Sequence, residues 1–135
     1  MMLLQDKRIF MVEDNLANKA IQTLLLEQQG AKVVIERWGK RTIEILQRNM
    51  PIDLIILDLM FPYEITGYDV FEAIRGVPEF KHIPIVAVSA SNPSEAIPRT
   101  RSAGFNGFIG KPVDFDRFPS QIAEILAGQL VWQGR

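Results

Sequence analysis

The sequence of 135 residues contains no cysteine, which excludes disulfides and thiolate zinc centres. It contains one histidine, His82, so a metal centre built on several imidazoles is excluded too. Neither sign of charge is in excess. The 15 Lys and Arg stand against 16 Asp and Glu, for a formal net charge of -1. Such a balance offers no electrostatic footprint for nucleic acid or a membrane surface. No apolar run approaches the roughly 18 residues of a membrane span. The N-terminal MMLLQDKR lacks the charged start and long apolar core of a signal peptide. A cytoplasmic protein with neither nucleic-acid nor membrane partners is the expectation.

What is present is 47% hydrophobic residues in a chain long enough for one domain with a real core. Short apolar runs alternate with amphipathic stretches five times. KRIFMVE, AKVVIE, DLIILD, IPIVAVSA and FNGFIG read as strands. The stretches between and after them read as helices. In the first, Ala17, Ala20, Ile21, Leu24 and Leu25 recur at helical spacing ahead of Gly30. The fourth, over 93–103, holds Pro98 mid-segment, where a proline costs about 3 kcal/mol. The first, third and fourth strands are apolar on both faces, as a parallel sheet covered by helices on both sides requires. The expected fold is a doubly wound α/β domain over 1–128, with QLVWQGR (129–135) as a C-terminal tail.

In open α/β sheets ligands bind at the carboxyl ends of the strands. Here those ends carry Glu13-Asp14, Asp58, Ser89 and Lys111-Pro112. Singly, each has a plain structural explanation: Asp14-Asn15 would cap a helix, Ser89 would sit in a loop, and Lys111 would be a solvated charge. Asp58 resists such an explanation. It ends the apolar run LIILD, and burying a carboxylate is costly unless it is paired. Three clustered carboxylates need a cation at neutral pH. Oxygen ligands without His or Cys favour magnesium, and Lys111 suits a phosphoryl group. An Asp in that setting can attack phosphorus and form an aspartyl phosphate.

With these residues in hand, the sequence resembles the response-regulator receiver domain of two-component signalling. The resemblance runs from Lys7 to about Gly128 and rests on MVEDN, LIILDLMFP, VSA and GFIGKP. Ser89 precedes Lys111 by 22 residues and Pro62 follows Asp58 by four; both spacings fit the family. The resemblance implies a flavodoxin-like five-stranded parallel sheet of order 2-1-3-4-5 with five helices. It makes Asp58 the phosphoacceptor and Lys111 its phosphoryl contact. Magnesium would be held by Asp14, Asp58 and the Met60 carbonyl, with Glu13 acting through water. Ser89 becomes the switch hydroxyl, Phe108 the switch aromatic, and Lys111-Pro112 a cis peptide. Residues two beyond Asp58 and two beyond Ser89 flank the approach of water in this family. Here they are Met60 and Ser91, which implies slow loss of the phosphoryl group.

The implied protein is not an enzyme in the ordinary sense. It accepts a phosphoryl group from a histidine kinase or a histidine phosphotransfer protein and signals to an output protein by contact. VEDNLANKAI also resembles receivers attached to hybrid kinases, so excision from a larger chain is a second reading. A flavin-binding domain of the same topology would need a Ser-, Thr- or Gly-rich phosphate loop where EDNLANK stands. A magnesium phosphohydrolase would need an acid at Met60, and a receiver that has lost phosphorylation would lack some of the five key residue types. Two features depart from the family: Gly67 lies one residue late in LMFPYEITGYD, and Pro98 alters the fourth helix. Trp38 is expected at a partly buried strand end, and Trp132 in a tail packed on the domain.

Overall fold

The computed structural model describes residues 2–61 and 64–134. The five expected strands form as β1 (Arg8–Val12), β2 (Lys32–Glu36), β3 (Leu54–Leu57), β4 (Ile85–Ser89) and β5 (Gly107–Gly110). The helices between them are α1 (Leu16–Gln28), α2 (Thr42–Asn49), α3 (Gly67–Arg75), α4 (Pro93–Ala103) and α5 (Phe118–Leu126). A short 3-10 turn over Pro78–Phe80 precedes β4.

The alternation of side chains along each strand explains why both faces must be covered. Phe10, Val12, Ile55, Leu57, Ile85, Ala87 and Phe108 point to one core, which they share with Leu46 of α2, Val70, Phe71 and Ile74 of α3, and Ala96 of α4. Ile9, Met11, Leu54, Ile56, Val86, Val88 and Ile109 point to the other, with Leu26 of α1 and Phe118, Ile122 and Ile125 of α5. Local signals set the helix starts. Asn15 accepts from the Asn18 N–H at 2.9 Å, and Thr66 and Asp69 form a reciprocal capping box on α3. Helix α4 runs through Pro98.

Two expectations need correction. The stretch 129–135 is not a plain tail: Val131–Gln133 form β6, parallel to β5, giving the order β2-β1-β3-β4-β5-β6. Glycine makes the approach possible, because a Cβ on Gly107 would lie 2.6 Å from the Val131 carbonyl oxygen. Trp132 pairs with Phe108 and sits under Arg101 of α4, 4.8 Å from ring centroid to guanidinium carbon. The second correction concerns α1. Ala17, Ala20 and Leu24 are exposed, and the buried residues are Gln22 and Leu26. Ile21 and Leu25 do pack on the core as the spacing predicts, but leucine lies on both sides of this helix, so apolar spacing alone also takes in exposed residues.

Among the described residues no helix is long and apolar enough to cross a membrane. Pro62 and Tyr63, which the family spacing and the loop reading invoke, lie outside the described residues, as does Arg135 of the presumed tail.

Candidate functional site at the carboxyl edge of the sheet

Strand register assembles the site. Val12 pairs with Leu57, and Ser89 with Gly110. Glu13, Asp58 and Lys111 therefore leave three strands at the same edge. Their backbones are tied in turn: the Asp58 N–H donates to the Val12 carbonyl, and the Lys111 N–H to that of Ser89.

The Lys111 ammonium lies between two carboxylates, 2.6 Å from Glu13 Oε1 and 3.0 Å from Asp58 Oδ2. All three side chains are at least nine-tenths buried. The other Asp58 oxygen, Oδ1, accepts from the Leu59 N–H at 2.7 Å and from that of Met60 at 3.4 Å. Glu13 Oε2 accepts from the Asn15 N–H at 3.0 Å, and Oε1 also receives Gln22 Nε2 at 3.4 Å. Burial raises the Glu13 carboxyl above its ordinary pKa, the Lys111 hydrogen bond and charge pull it back, and the nearby Asp58 charge adds a smaller upward push.

The remaining predicted residues are placed around this pair. Asp14 stays at the rim, its Oδ1 4.0 Å from Arg37 Nε. Ser89 is fully buried at the end of β4; its hydroxyl is 2.9 Å from Ser91 Oγ and accepts from the Ser91 N–H at 3.2 Å. Phe108 is fully buried in the core shared with α2, α3 and α4. Met60 is 59% exposed and forms an antiparallel bridge with Thr66 that closes the loop after Asp58. Gly67 follows it, and a Cβ there would lie 2.1 Å from the Asp58 carbonyl oxygen. The Lys111-Pro112 peptide is cis, as is Met50-Pro51.

Among the described residues, no three acidic, His or Cys side chains are gathered closely enough to hold a metal ion. Sequence reasoning expected three carboxylates together; the structure brings two onto one ammonium and leaves Asp14 beside Arg37. The donor chemistry still fits a hard divalent cation. Every side-chain donor is oxygen, and two carboxylates share a single positive charge. Gln22 and Arg37 are contacts the sequence reading missed. Gln22 carried no signal beyond a polar residue amid apolar ones, and Arg37 none at all.

The family model described as response regulator receiver domain matches residues 9–123. The chain is 34% identical over 122 residues to the two-component response regulator ORR7 of Oryza sativa subsp. japonica, covering 90% of this chain and 56% of that protein. It is 31% identical over 120 residues to the polar-differentiation response regulator DivK of Brucella ovis, covering 89% of this chain and 96% of that one. A match at 31% identity to the autoinducer sensor kinase/phosphatase CqsS of Vibrio cholerae covers 87% of this chain but 17% of the kinase. The chain thus spans about half of the rice relative and a small part of the kinase. Among solved structures, the phosphorylated cyanobacterial phytochrome response regulator RcpA superposes with a TM-score of 0.70 at 30% identity, covering 91% of this chain and 90% of that one. The Mn(2+)-bound form of response regulator Rcp1 gives 0.71 at 25% identity, covering 88% and 91%.

Proposed function

The chain belongs to the response regulator receiver domain family, and from that premise we propose that Asp58 is a phosphoacceptor whose phosphorylation carries a two-component signal. One observation carries the reading. Asp58 ends a buried strand with one oxygen held by the Leu59 N–H and the other on the Lys111 ammonium. A buried carboxylate so placed is fixed in direction and faces a cation suited to phosphoryl oxygens.

In the step itself, an Asp58 carboxylate oxygen attacks the phosphorus of a phosphohistidine on a histidine kinase or phosphotransfer protein. The new P–O bond forms as the P–N bond to imidazole breaks, and the imidazole leaves with a proton taken up from solvent. Lys111 gives up Asp58 Oδ2 and turns to a phosphoryl oxygen, keeping its charge beside the new anion. Glu13, Asp14, Asp58 and the Met60 carbonyl would hold magnesium, which offsets phosphoryl charge when bound. The metal-bound form of Rcp1 and the phosphorylated form of RcpA support this reading by similarity. The Ser89 hydroxyl then turns toward the phosphoryl group, and Phe108 repacks in the core behind it.

Output passes by protein contact. The match to part of CqsS favours a second reading, in which this receiver works within a larger hybrid kinase. The test is incubation with acetyl phosphate and magnesium followed by intact-mass measurement. One added phosphoryl mass is expected, absent in Asp58→Asn, because an amide is a poor nucleophile. Undiminished labelling of Asp58→Asn would sink the assignment.

A further inference from the structure

Gln22 occupies a place on α1 where an aliphatic side chain would complete the fold. It is 1% exposed. Ile21, Leu25 and Leu26 on either side of it go to the apolar core between α1, α5 and the sheet. Its carbonyl oxygen, Oε1, is buried without a hydrogen-bond partner. Burying an unpaired amide oxygen is unfavourable, and an apolar residue of the same shape avoids the cost. Packing therefore gives no reason for glutamine here.

The other end of the amide gives one. Gln22 Nε2 donates to Glu13 Oε1, the oxygen that also receives Lys111. The second Glu13 oxygen is held by the Asn15 N–H. Glu13 thus has three donors, from α1, from the loop before α1 and from the end of β5. Lys111 is the one shared with Asp58, and it re-aims toward a phosphoryl oxygen when Asp58 becomes an acyl phosphate. Gln22 and Asn15 serve Glu13 alone and hold the buried carboxylate throughout. The orientation of the amide is set by the contact, since a carbonyl turned toward Glu13 would place two acceptors together.

We propose that Gln22 is a positioning residue for Glu13, holding that carboxylate at the edge of the sheet in the direction from which it serves the magnesium site. The inference rests on the phosphoacceptor reading. Partners of metal-associated carboxylates commonly change metal affinity by ten- to a hundredfold when removed. The long 3.4 Å contact belongs at the lower end of that range.

The experiment is calorimetric titration of magnesium into the wild-type protein, Gln22→Leu and Gln22→Met, with thermal midpoints measured on the same samples without metal. Gln22→Met keeps the unbranched chain and carries the test if Gln22→Leu fails to fold. The expected result is magnesium binding weakened by about tenfold, together with an unchanged or higher midpoint, because the unpaired oxygen is gone. Thr23→Val removes a neighbouring buried hydroxyl that also lacks a partner, and should leave magnesium affinity unchanged. Equal affinity in wild type and the folded Gln22 variants would overturn the role of Gln22. So would weaker binding matched by a lowered midpoint, which marks a structural residue. A wild-type protein that binds no magnesium would instead overturn the underlying phosphoacceptor reading.

Discussion

Ser89 and Ser91 hold each other: their hydroxyl oxygens are 2.9 Å apart, and the Ser91 N–H donates to Ser89 Oγ at 3.2 Å. The Ser89 hydroxyl must leave both contacts to reach a phosphoryl group on Asp58. A neutral hydrogen bond has a net worth of about 1 kcal/mol, which biases the resting orientation without locking it. Ser89→Ala is expected to accept a phosphoryl group normally and to respond weakly to it. Hydrogen exchange over β4 and α4, before and after acetyl phosphate with magnesium, measures that response. A full change in exchange in phosphorylated Ser89→Ala would refute the coupling.

Lys111 neutralises two carboxylates at once, so its removal should cost more than a surface ion pair does. Lys111→Met leaves Glu13 and Asp58 buried with no cation between them. Breaking a buried pair in this way typically costs about 3–5 kcal/mol. Urea denaturation should show a loss near the lower figure, because Glu13 keeps its Asn15 and Gln22 donors and Asp58 its Leu59 donor. Adding Asp58→Asn should recover part of the loss by removing the like-charge repulsion. A single variant within about 0.5 kcal/mol of wild type, the usual range for surface changes, would show that the bridge does not hold the edge together.

Strand β6 gives a third expectation. Trp132 is half-buried, packs against the core that holds Phe108, and lies under Arg101. Truncating a fully buried Trp costs about 3–5 kcal/mol; a half-buried one should cost roughly half that. Trp132→Ala should therefore lower stability by about 2 kcal/mol and increase hydrogen exchange in β5, whose edge β6 covers. In a Trp38→Phe background, fluorescence of Trp132 should shift to the red early in a urea titration if β6 leaves before the core melts. Unchanged β5 exchange in Trp132→Ala would show that the ring does not fasten the strand.

How much of this could be read beforehand follows from pattern length. Runs such as LIIL (54–57) and IVAV (85–88) are apolar on both faces and lead straight into a polar residue, so the strands and the residues at their ends were legible together. Lys111 was legible as a member of the edge but not as the bridge between Glu13 and Asp58, which depends on two side-chain directions. The buried face of α1 was read only in part: Ile21 and Leu25 pack on the core, but Ala17, Ala20 and Leu24 mimic a core stripe while Gln22 points inward to Glu13. Three residues are too few to show a strand period, and β6 forms because Gly107 leaves room for its backbone. Arg37 reaches Asp14 from just beyond β2, a pairing of neighbouring strand ends that no local pattern announces.

If Asp58 is phosphorylated as proposed, the lifetime of that form would be set by water attacking in line, opposite the Asp58 oxygen. Met60 and Ser91 occupy the positions expected to flank that path. Met60 is largely exposed and has only a thioether, a weak acceptor that cannot orient water strongly. Ser91 is small, and its hydroxyl is already engaged with Ser89. Neither residue is therefore equipped to place the water, and positioning of a reactant can account for several kcal/mol of a barrier. A phosphorylated protein that decays slowly is the expected result. Met60→Asn combined with Ser91→Glu should supply an amide and a carboxylate on the two sides of the path. Removing about 1.4 kcal/mol of barrier would speed the loss roughly tenfold. The measurement is the decline of phosphorylated mass after the donor is removed, with magnesium held constant, in wild type, each single variant and the pair. Because Ser91→Glu also removes the hydroxyl contact to Ser89, Ser91→Ala serves as the control: it loses that contact, keeps the backbone N–H bond to Ser89 and provides no carboxylate, and it should leave the decay near the wild-type rate. Equal decay in wild type and the double variant would mean that water reaches phosphorus without help from either position, with access governed by the loop that Met60 and Thr66 close.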